Sequence, residues 1–447
     1  MVGTRVVSKF VNFIAYLLYY LTSHRLSFDT AFHHVLTTLR DSELRRYLTP
    51  LYTLARHAVL DFMKAMNVYL YLKYGHRFKL HSEVPKGVSF REVSRVVLCY
   101  HAPRILRDEK LVEAIERYCR NYNLSSDRVE NVLKEISASL NLAERLAFQY
   151  SFPTWFVTTL LNLVDPAELE HLLKALNDEY IWLRINTLLI DYDKALRLLE
   201  LEGVVYEIDR DVWFLVRVLE SPKPVHELDS FKSGFVVTQD KASVLAVLAM
   251  DIEPGMRILD ACAAPGMKSS LIMQLTENNC ELFFLDISLK RIRSSIPLLK
   301  RLGVDLGRVH IVHCDSTNMY VRNVDQALID APCTNSGAIP RDPAIKLQLM
   351  DSRWASGFNE IQFMLLRSVM KLNPEVVVYC VCSLLPWEGE GVVIRILEAE
   401  KTNFTIQSPR IPGQHGYRLY RFYEHVRRLF PHIHRTQGFF ISRFQRV

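Results

Sequence analysis

The 447-residue sequence has no low-complexity tract and no internal repeat, so it is not a repeat array. It has no C-x-x-C pair among its eight cysteines (Cys99, Cys119, Cys262, Cys280, Cys314, Cys333, Cys380 and Cys382), which argues against a zinc ribbon. Those cysteines are scattered, and a chain of this length needs no disulfide framework, so reduced thiols are expected. No G-x-G-x-x-G turn is present, which disfavours a dinucleotide pyrophosphate site. Long apolar runs are also missing. The most apolar early stretch, FVNFIAYLLYYLT at 10–22, is diluted by Asn and Tyr and too short to span a bilayer. Val7, Phe10, Val11, Ile14, Leu17, Leu18 and Leu21 recur at helical spacing there. A core helix of a cytoplasmic protein is therefore expected, not a signal peptide or an anchor.

What is present divides the chain. Its length suggests two or three domains. Residues 1–145 are helical throughout, with apparent helices over 43–66, 110–121 and 127–140, the last offered an N-cap by Ser125, Ser126 and Asp127. Glycine and proline are sparse there and gather at 75–87. Residues 146–235 read as a small α+β unit, with strands near 183–187, 204–206 and 212–216 and a helix near 191–201. From 236 to 447 strands and helices alternate. Strands are expected at 257–263, 281–286, 310–314, 326–331, 375–382 and 438–444. That order predicts an α/β fold, a Rossmann-like, mostly parallel sheet with helices on both faces and ligands at the carboxyl ends of its strands. Net charge is +6, but the last 47 residues carry nine Lys/Arg against one acid, Glu424. Nine aromatics, among them Tyr417, Phe430 and Phe440, are interleaved with those cations, a pattern that suits nucleic-acid binding or a solvated basic face.

The strand ends carry the chemistry. The first opens into Asp260-Ala261-Cys262-Ala263-Ala264-Pro265-Gly266-Met267-Lys268, a small-residue turn that lets a ligand reach the backbone and the free N–H groups of the next helix. Asp286, Asp315 and Asp330 end the next three strands. Each could be an N-cap, but a row of carboxylates beside such a turn favours a nucleoside-bearing cofactor. Cys333 follows Asp330, and Cys380 and Cys382 end the fifth strand. The latter two lie about 6.6 Å apart on one strand face, a poor disulfide geometry, and no further metal ligands are spaced to join them. Cys380 is expected to be a core residue, and Cys382 a nucleophilic thiol facing Cys333 across one cleft.

QDKAS (239–243), DACAAPGMKSS (260–270), DAPCTNSG (330–337), YCVCSLLPWEGE (379–390) and PHIHRTQGFFISRF (431–444) together resemble the Sun/Fmu family of RNA cytosine-C5 methyltransferases. YSFPTWFV (150–157) and RINTL (184–188) extend the likeness, and residues 1–145 more weakly resemble a NusB-like RNA-binding bundle. The resemblance implies S-adenosylmethionine as cofactor, held by Cys262, Ala263, Ala264, Pro265, Gly266, Met267 and Lys268, with Asp286 and Arg291 at the ribose, Asp315 on the adenine side, and Asp330. It implies Cys382 as the catalytic cysteine, Cys333 as the thiol of product release and Asp330 as a contact of the target base. The implied partner is RNA, rRNA before tRNA, acted on by a monomer without metal or membrane. Met267 and Asn335 stand where glycine is common in that family, Cys380-Val381 replaces Ser/Ala-Thr, Gly389 replaces asparagine, and Gln437 replaces an acid. None of these changes removes a catalytic group.

The chemistry explains the residue types. Carbon 5 of cytosine is a poor nucleophile, and thiolate addition to carbon 6 turns it into an enamine-like centre. A free thiol has a pKa of about 8.5, so such a site needs local positive charge or strand-end dipoles. A silent RNA-binding assembly factor would retain the fold without needing the Asp330, Cys333 and Cys382 set. A DNA methyltransferase would use the Pro-Cys thiol and not need Cys382.

Overall fold

The computed structural model describes residues 4–399 and 403–447, so Lys401 of the basic tail, the last residue of the helix that the β-α alternation predicts over 388–400 and the first three residues of the chain lie outside them. The chain forms two compact units, Met1–Asn177 with Ile339–Ala355, and Asp178–Ala338 with Ser356–Val447. The expected divisions at 145 and 235 do not match this partition. The first falls inside helix Leu142–Tyr150, and 339–355, expected in the catalytic domain, belongs to the helical unit. Composition changes where backbone pattern changes, whereas units are defined by packing.

In the helical unit the first helix, Thr4–Ser23, buries all seven of the apolar residues expected to face a core. At 20 residues it is long and apolar enough to cross a membrane by length and composition, contrary to the reading of the shorter run, but nine of its side chains are buried. The expected helix at 43–66 is three helices, Ser42–Arg45, Leu48–Leu60 and Phe62–Tyr74. Asp61 interrupts the last two at φ −106°, ψ 17°, and its carboxylate lies 2.9 Å from both Lys64 Nζ and His101 Nε2. Ser125 caps helix Ser126–Ala138 by accepting the Arg128 N–H. Helices Phe90–Ile105 and Glu109–Asn121 pack together, and Cys99 and Cys119 on them form a disulfide with Cα atoms 5.7 Å apart, where free thiols were expected. The 339–355 segment is stapled into this unit by Lys346. Its buried Nζ donates to Leu60 O (2.6 Å), Tyr150 O (2.8 Å) and Asn177 Oδ1 (2.8 Å). Leu60 and Tyr150 end their helices, where the backbone dipole attracts a cation, though burial lowers the lysine's pKa.

The second unit holds two sheets. β1 (Ile181–Ile185), β2 (Val205–Ile208), β3 (Leu215–Glu220) and β4 (Val236–Thr238) form an antiparallel sheet in the order β2-β3-β1-β4. β5 (Arg257–Asp260), β6 (Glu281–Asp286), β7 (Val309–His313), β8 (Gln326–Asp330), β9 (Val376–Val381), β10 (Phe404–Gln407), β11 (Val426–Leu429) and β12 (Phe439–Arg446) form the larger one, in the order β10-β12-β9-β8-β5-β6-β7, with β11 also on β12. The five strands from β7 to β9 are parallel, as the alternating pattern implies. β9 shows why both faces are covered. Val376, Val378 and Cys380 enter one apolar core while Val377, Tyr379 and Val381 enter the other, and helices supply the outer layer of each.

Past β9 the sheet turns antiparallel, and this changes the meaning of the basic tail. β12 pairs with β9 on one edge and with β11 and β10 on the other. Seven of the nine interleaved aromatics are buried and Tyr420 and Tyr423 are half-buried, so they are sheet core and not a stacking surface. Arg428 is fully buried. It donates from Nε to Glu390 Oε1 (2.8 Å) and from Nη1 to Ser383 O (3.0 Å), with its guanidinium carbon 4.0 Å from the Tyr417 ring centre. Gly389 is explained by the same side chain, because a Cβ there would lie 2.8 Å from Arg428 Nη2. Arg428→Met should leave Glu390 charged and unpaired in the core and cost about 3–5 kcal/mol in urea unfolding. Pairing it with Glu390→Gln should recover much of that loss.

Candidate active site

β5 ends at Asp260, and the chain turns through 261–266 into helix Met267–Leu275. Gly266 makes the turn at φ +100°, and a Cβ there would press on Leu299 and Phe284 at 3.1 and 3.3 Å. Asp286, 2% exposed at the end of β6, accepts the Ala264 N–H at 3.1 Å and the Ser288 N–H at 2.8 Å. Arg291 Nη1 lies 3.4 Å from Asp286, and its Nη2 donates to Ala264 O. Asp315 is exposed and caps the following turn, accepting from Thr317 N (2.9 Å) and Oγ1 (2.7 Å).

These strand ends open into a cavity of about 330 Å³. Its walls include Cys262, Asp286, Arg291, Asp315, Asp330, Cys333 and Cys382, so seven sequence-predicted residues converge there. Of residues 262–268 only Cys262 is on the wall. Ala263 to Met267 shape the turn behind it, and Lys268 turns away to place Nζ 2.6 Å from Asp330 Oδ2. Burial is the largest influence on the Lys268 pKa and lowers it, but the Asp330 charge and hydrogen bond together with the neighbouring thiols outweigh it, and the ammonium is held more firmly than in water. Sequence reasoning missed Ser316, Thr317, Ile361 and Leu365 on the wall. The first two directly follow Asp315. Ile361 and Leu365 come from helix Asn359–Met370 and carry no signal beyond their i, i+4 spacing.

The thiols meet because β8 and β9 are adjacent and parallel, with Asp330 opposite Cys380. Cys382 Sγ and Cys333 Sγ are 3.4 Å apart, and both are free. The hydrogen bond with Cys382, and then burial, push the Cys333 thiol well up. Cys380 is fully buried, and burial likewise keeps it a thiol, although its Sγ is 3.7 Å from Asp330 Oδ1. The two cysteine loops are tied by Glu388, which is buried and accepts from Thr334 N (2.9 Å), Thr334 Oγ1 (2.6 Å), Gln362 Nε2 (3.3 Å) and the Ser383 hydroxyl. Asn335 sits at φ +55°, a left-handed conformation that glycine adopts without strain. No group of three metal-ligating side chains occurs among the described residues.

A parallel sheet with a small-residue turn, strand-end carboxylates and a cleft of this form defines a Rossmann-like methyltransferase unit. Residues 247–445 match the family described as 16S rRNA methyltransferase RsmB/F. A 28S rRNA (cytosine-C(5))-methyltransferase of Mus musculus is 30% identical over 363 residues, covering 77% of this chain and 45% of its own length. Ribosomal RNA small subunit methyltransferase B of Salmonella arizonae is 32% identical over 259 residues, covering 56% and 58%. The chain thus spans about half the length of these curated relatives. The solved structure of PH0851 matches 98% of this chain and 99% of its own at TM-score 0.75 and 20% identity, a likeness of fold. A methyltransferase homolog protein from Pyrococcus horikoshii matches 68% and 98% at TM-score 0.59 and 25% identity. The likeness to the RsmB/F methyltransferase domain thus spans 247–445, most of which lies in the second unit.

Asp260 gives the site a measurable pH signature. It is 1% exposed and accepts from Ser269 Oγ at 2.7 Å. Burial, reinforced by the Asp330 charge, pushes its carboxyl from 3.8 to about 6. The folded chain then holds this proton more tightly than the unfolded chain. Its contribution is greatest below about pH 4 and is lost as pH rises to about 6, a change of about 3 kcal/mol. In urea titrations the stability difference between wild type and Asp260→Asn should fall across that window and be flat above it.

Proposed function

We propose that this chain is an RNA (cytosine-C5)-methyltransferase acting on structured RNA, rRNA first. The observation that carries this reading is the pair of free thiols, Cys382 and Cys333, 3.4 Å apart at the ends of adjacent parallel strands, over the Lys268–Asp330 pair. Relatives named as methyltransferases of 28S and small-subunit rRNA support rRNA as the substrate.

The residues present fit S-adenosylmethionine. Asp286, buried at a strand end, suits ribose hydroxyls, and Arg291 and Asp315 flank the same cavity. When bound, that cofactor supplies an electrophilic methyl group. The protein's own part is to make carbon 5 attack it. Cys382, half-exposed at the cavity wall, loses its proton to solvent water and adds its sulfur to carbon 6 of the flipped base, opening the carbon 5–carbon 6 double bond. Lys268 donates to Asp330 at the base of the site, and the pair offers N3 a hydrogen bond where charge develops. The carbon-5 proton then leaves to Cys333 or to a water that it positions, and the Cys382–carbon 6 bond breaks. The hydrogen bond that most raises the Cys333 pKa comes from Cys382. It changes once that sulfur is bonded to carbon, so the thiolate form of Cys333 is less disfavoured at the stage when a base is required.

Cys382→Ser should abolish methyl transfer and leave cofactor binding intact, whereas Cys380→Ser should retain most activity. Cys333→Ala should accumulate a covalent protein–RNA complex on denaturing gels. An active Cys382→Ser enzyme, or full turnover without a slow band for Cys333→Ala, would overturn these roles.

The RNA grip is assigned to the helical, NusB-like unit and not to the tail. A cleft of about 320 Å³ there is walled by Lys73, Arg77, Lys79, His81 and Lys86 with Tyr74 and Phe78, and no carboxylate lines it among the described residues. Replacing the four Lys/Arg residues with glutamine should weaken RNA binding and flatten the slope of log affinity against log salt by about 0.7 per lost phosphate contact. An unchanged slope would remove the cleft from the RNA path.

A further inference from the structure

We infer that Asn335 is a positioning residue that sets the reactivity of Cys382 through its carboxamide, an inference that rests on reading Cys382 as the nucleophile. Three observations converge on it. Its backbone lies at φ +55°, where glycine is free of strain and a side chain is not. Its Oδ1 is 2.8 Å from Cys382 Sγ and 3.6 Å from Cys333 Sγ, so one carboxamide spans both thiols. It lines the cavity although it is largely exposed, so packing does not hold the side chain against the sulfur. The loop itself is held independently, by Ala338 N–H to Asn335 O (2.7 Å), Gly337 N–H to Cys382 O (3.0 Å) and the Glu388 bonds to Thr334. A strained backbone at a reacting group points to a side chain retained for use there.

A carboxamide carries an acceptor and two donors on one rotatable plane. Against a resting thiol, Oδ1 accepts the S–H of Cys382. When that proton leaves to solvent water, half a turn about χ2 brings Nδ2–H to the sulfur. A hydrogen bond to a charged acceptor is roughly twice as strong as a neutral one, so the exchange favours the thiolate. Once the sulfur is bonded to carbon 6 it has neither charge nor proton to offer, and the carboxamide is released to Cys333. Asn335 therefore serves the two thiols in succession.

The test is alkylation by iodoacetamide, which joins carbon to the Cys382 sulfur with loss of iodide and of the thiol proton. Full-length wild type, Asn335→Gly and Asn335→Asp are labelled from about pH 6 to pH 10, and peptide mass spectrometry separates Cys382 from the other five free cysteines. Glycine accepts φ +55° without strain, so the fold should survive, with thermal unfolding as the control. Asn335→Gly should label about tenfold more slowly at neutral pH, with its profile moved to higher pH and an unchanged plateau. Asn335→Asp should be slower still at neutral pH, because its charge opposes the thiolate. A wild-type profile in Asn335→Gly, or a rate change equal at every pH, would overturn the inference, the latter because it reports access alone. The assay uses neither RNA nor cofactor, so it can fail while Cys382→Ser still abolishes methyl transfer. Conversely, an active Cys382→Ser enzyme would sink the functional reading and leave the thiol measurement intact.

Discussion

The buried carboxylate of Glu388 is the interaction on which the site depends. Cys333 and Cys382 sit on separate loops, 49 residues apart in sequence, and each loop alone could take many conformations. Glu388 draws in one loop through Thr334 and the other through Ser383, and Gln362 fills its remaining capacity. Burial raises the Glu388 pKa, a cost offset by the hydrogen bonds it accepts from both sides. Below it Gly337 and Gly438 touch backbone to backbone, since a Cβ on Gly337 would lie 1.8 Å from Gly438 O. The thiol spacing is thus a property of a polar knot laid over a close backbone contact.

A second layer of charge sits behind the thiols. Lys268 lies in the first turn of the helix that follows β5, and its ammonium is spent on Asp330 at the end of the neighbouring β8. One helix start therefore links two strand ends of the cleft. Its position is braced from the rear by Arg184, a fully buried guanidinium that donates to Gln274 Oε1 (2.6 Å) and Ser270 Oγ (2.8 Å) on the same helix. Burial lowers the Arg184 pKa to about 9, and no carboxylate is bonded to it among the described residues. Such a group is held for the geometry it imposes more than for stability.

The basic tail shows where composition misleads. Cations among aromatics suit a nucleic-acid surface, but the same alternation is what an edge of antiparallel strands requires, with aromatic faces inward and charges outward. Arg418 and Arg421 remain exposed, whereas Arg428 is inside, paired with Glu390.

Much of this protein is determined by local sequence. The β-α alternation, the period-2 runs such as Val376–Val381, the acids at strand ends and the two cysteines at neighbouring tips follow from patterns a few residues long, because backbone periodicity and strand order constrain them directly. The tertiary structure decided what needs two distant segments at once. Lys268 reaches Asp330 on another strand, Glu390 takes Arg428, Cys99 finds Cys119, and residues 339–355 leave the sheet to be anchored by Lys346 on helix ends nearly 200 or more residues earlier. A buried charge must find a partner wherever the chain brings one within about 3 Å, and no spacing in the sequence states which one that will be.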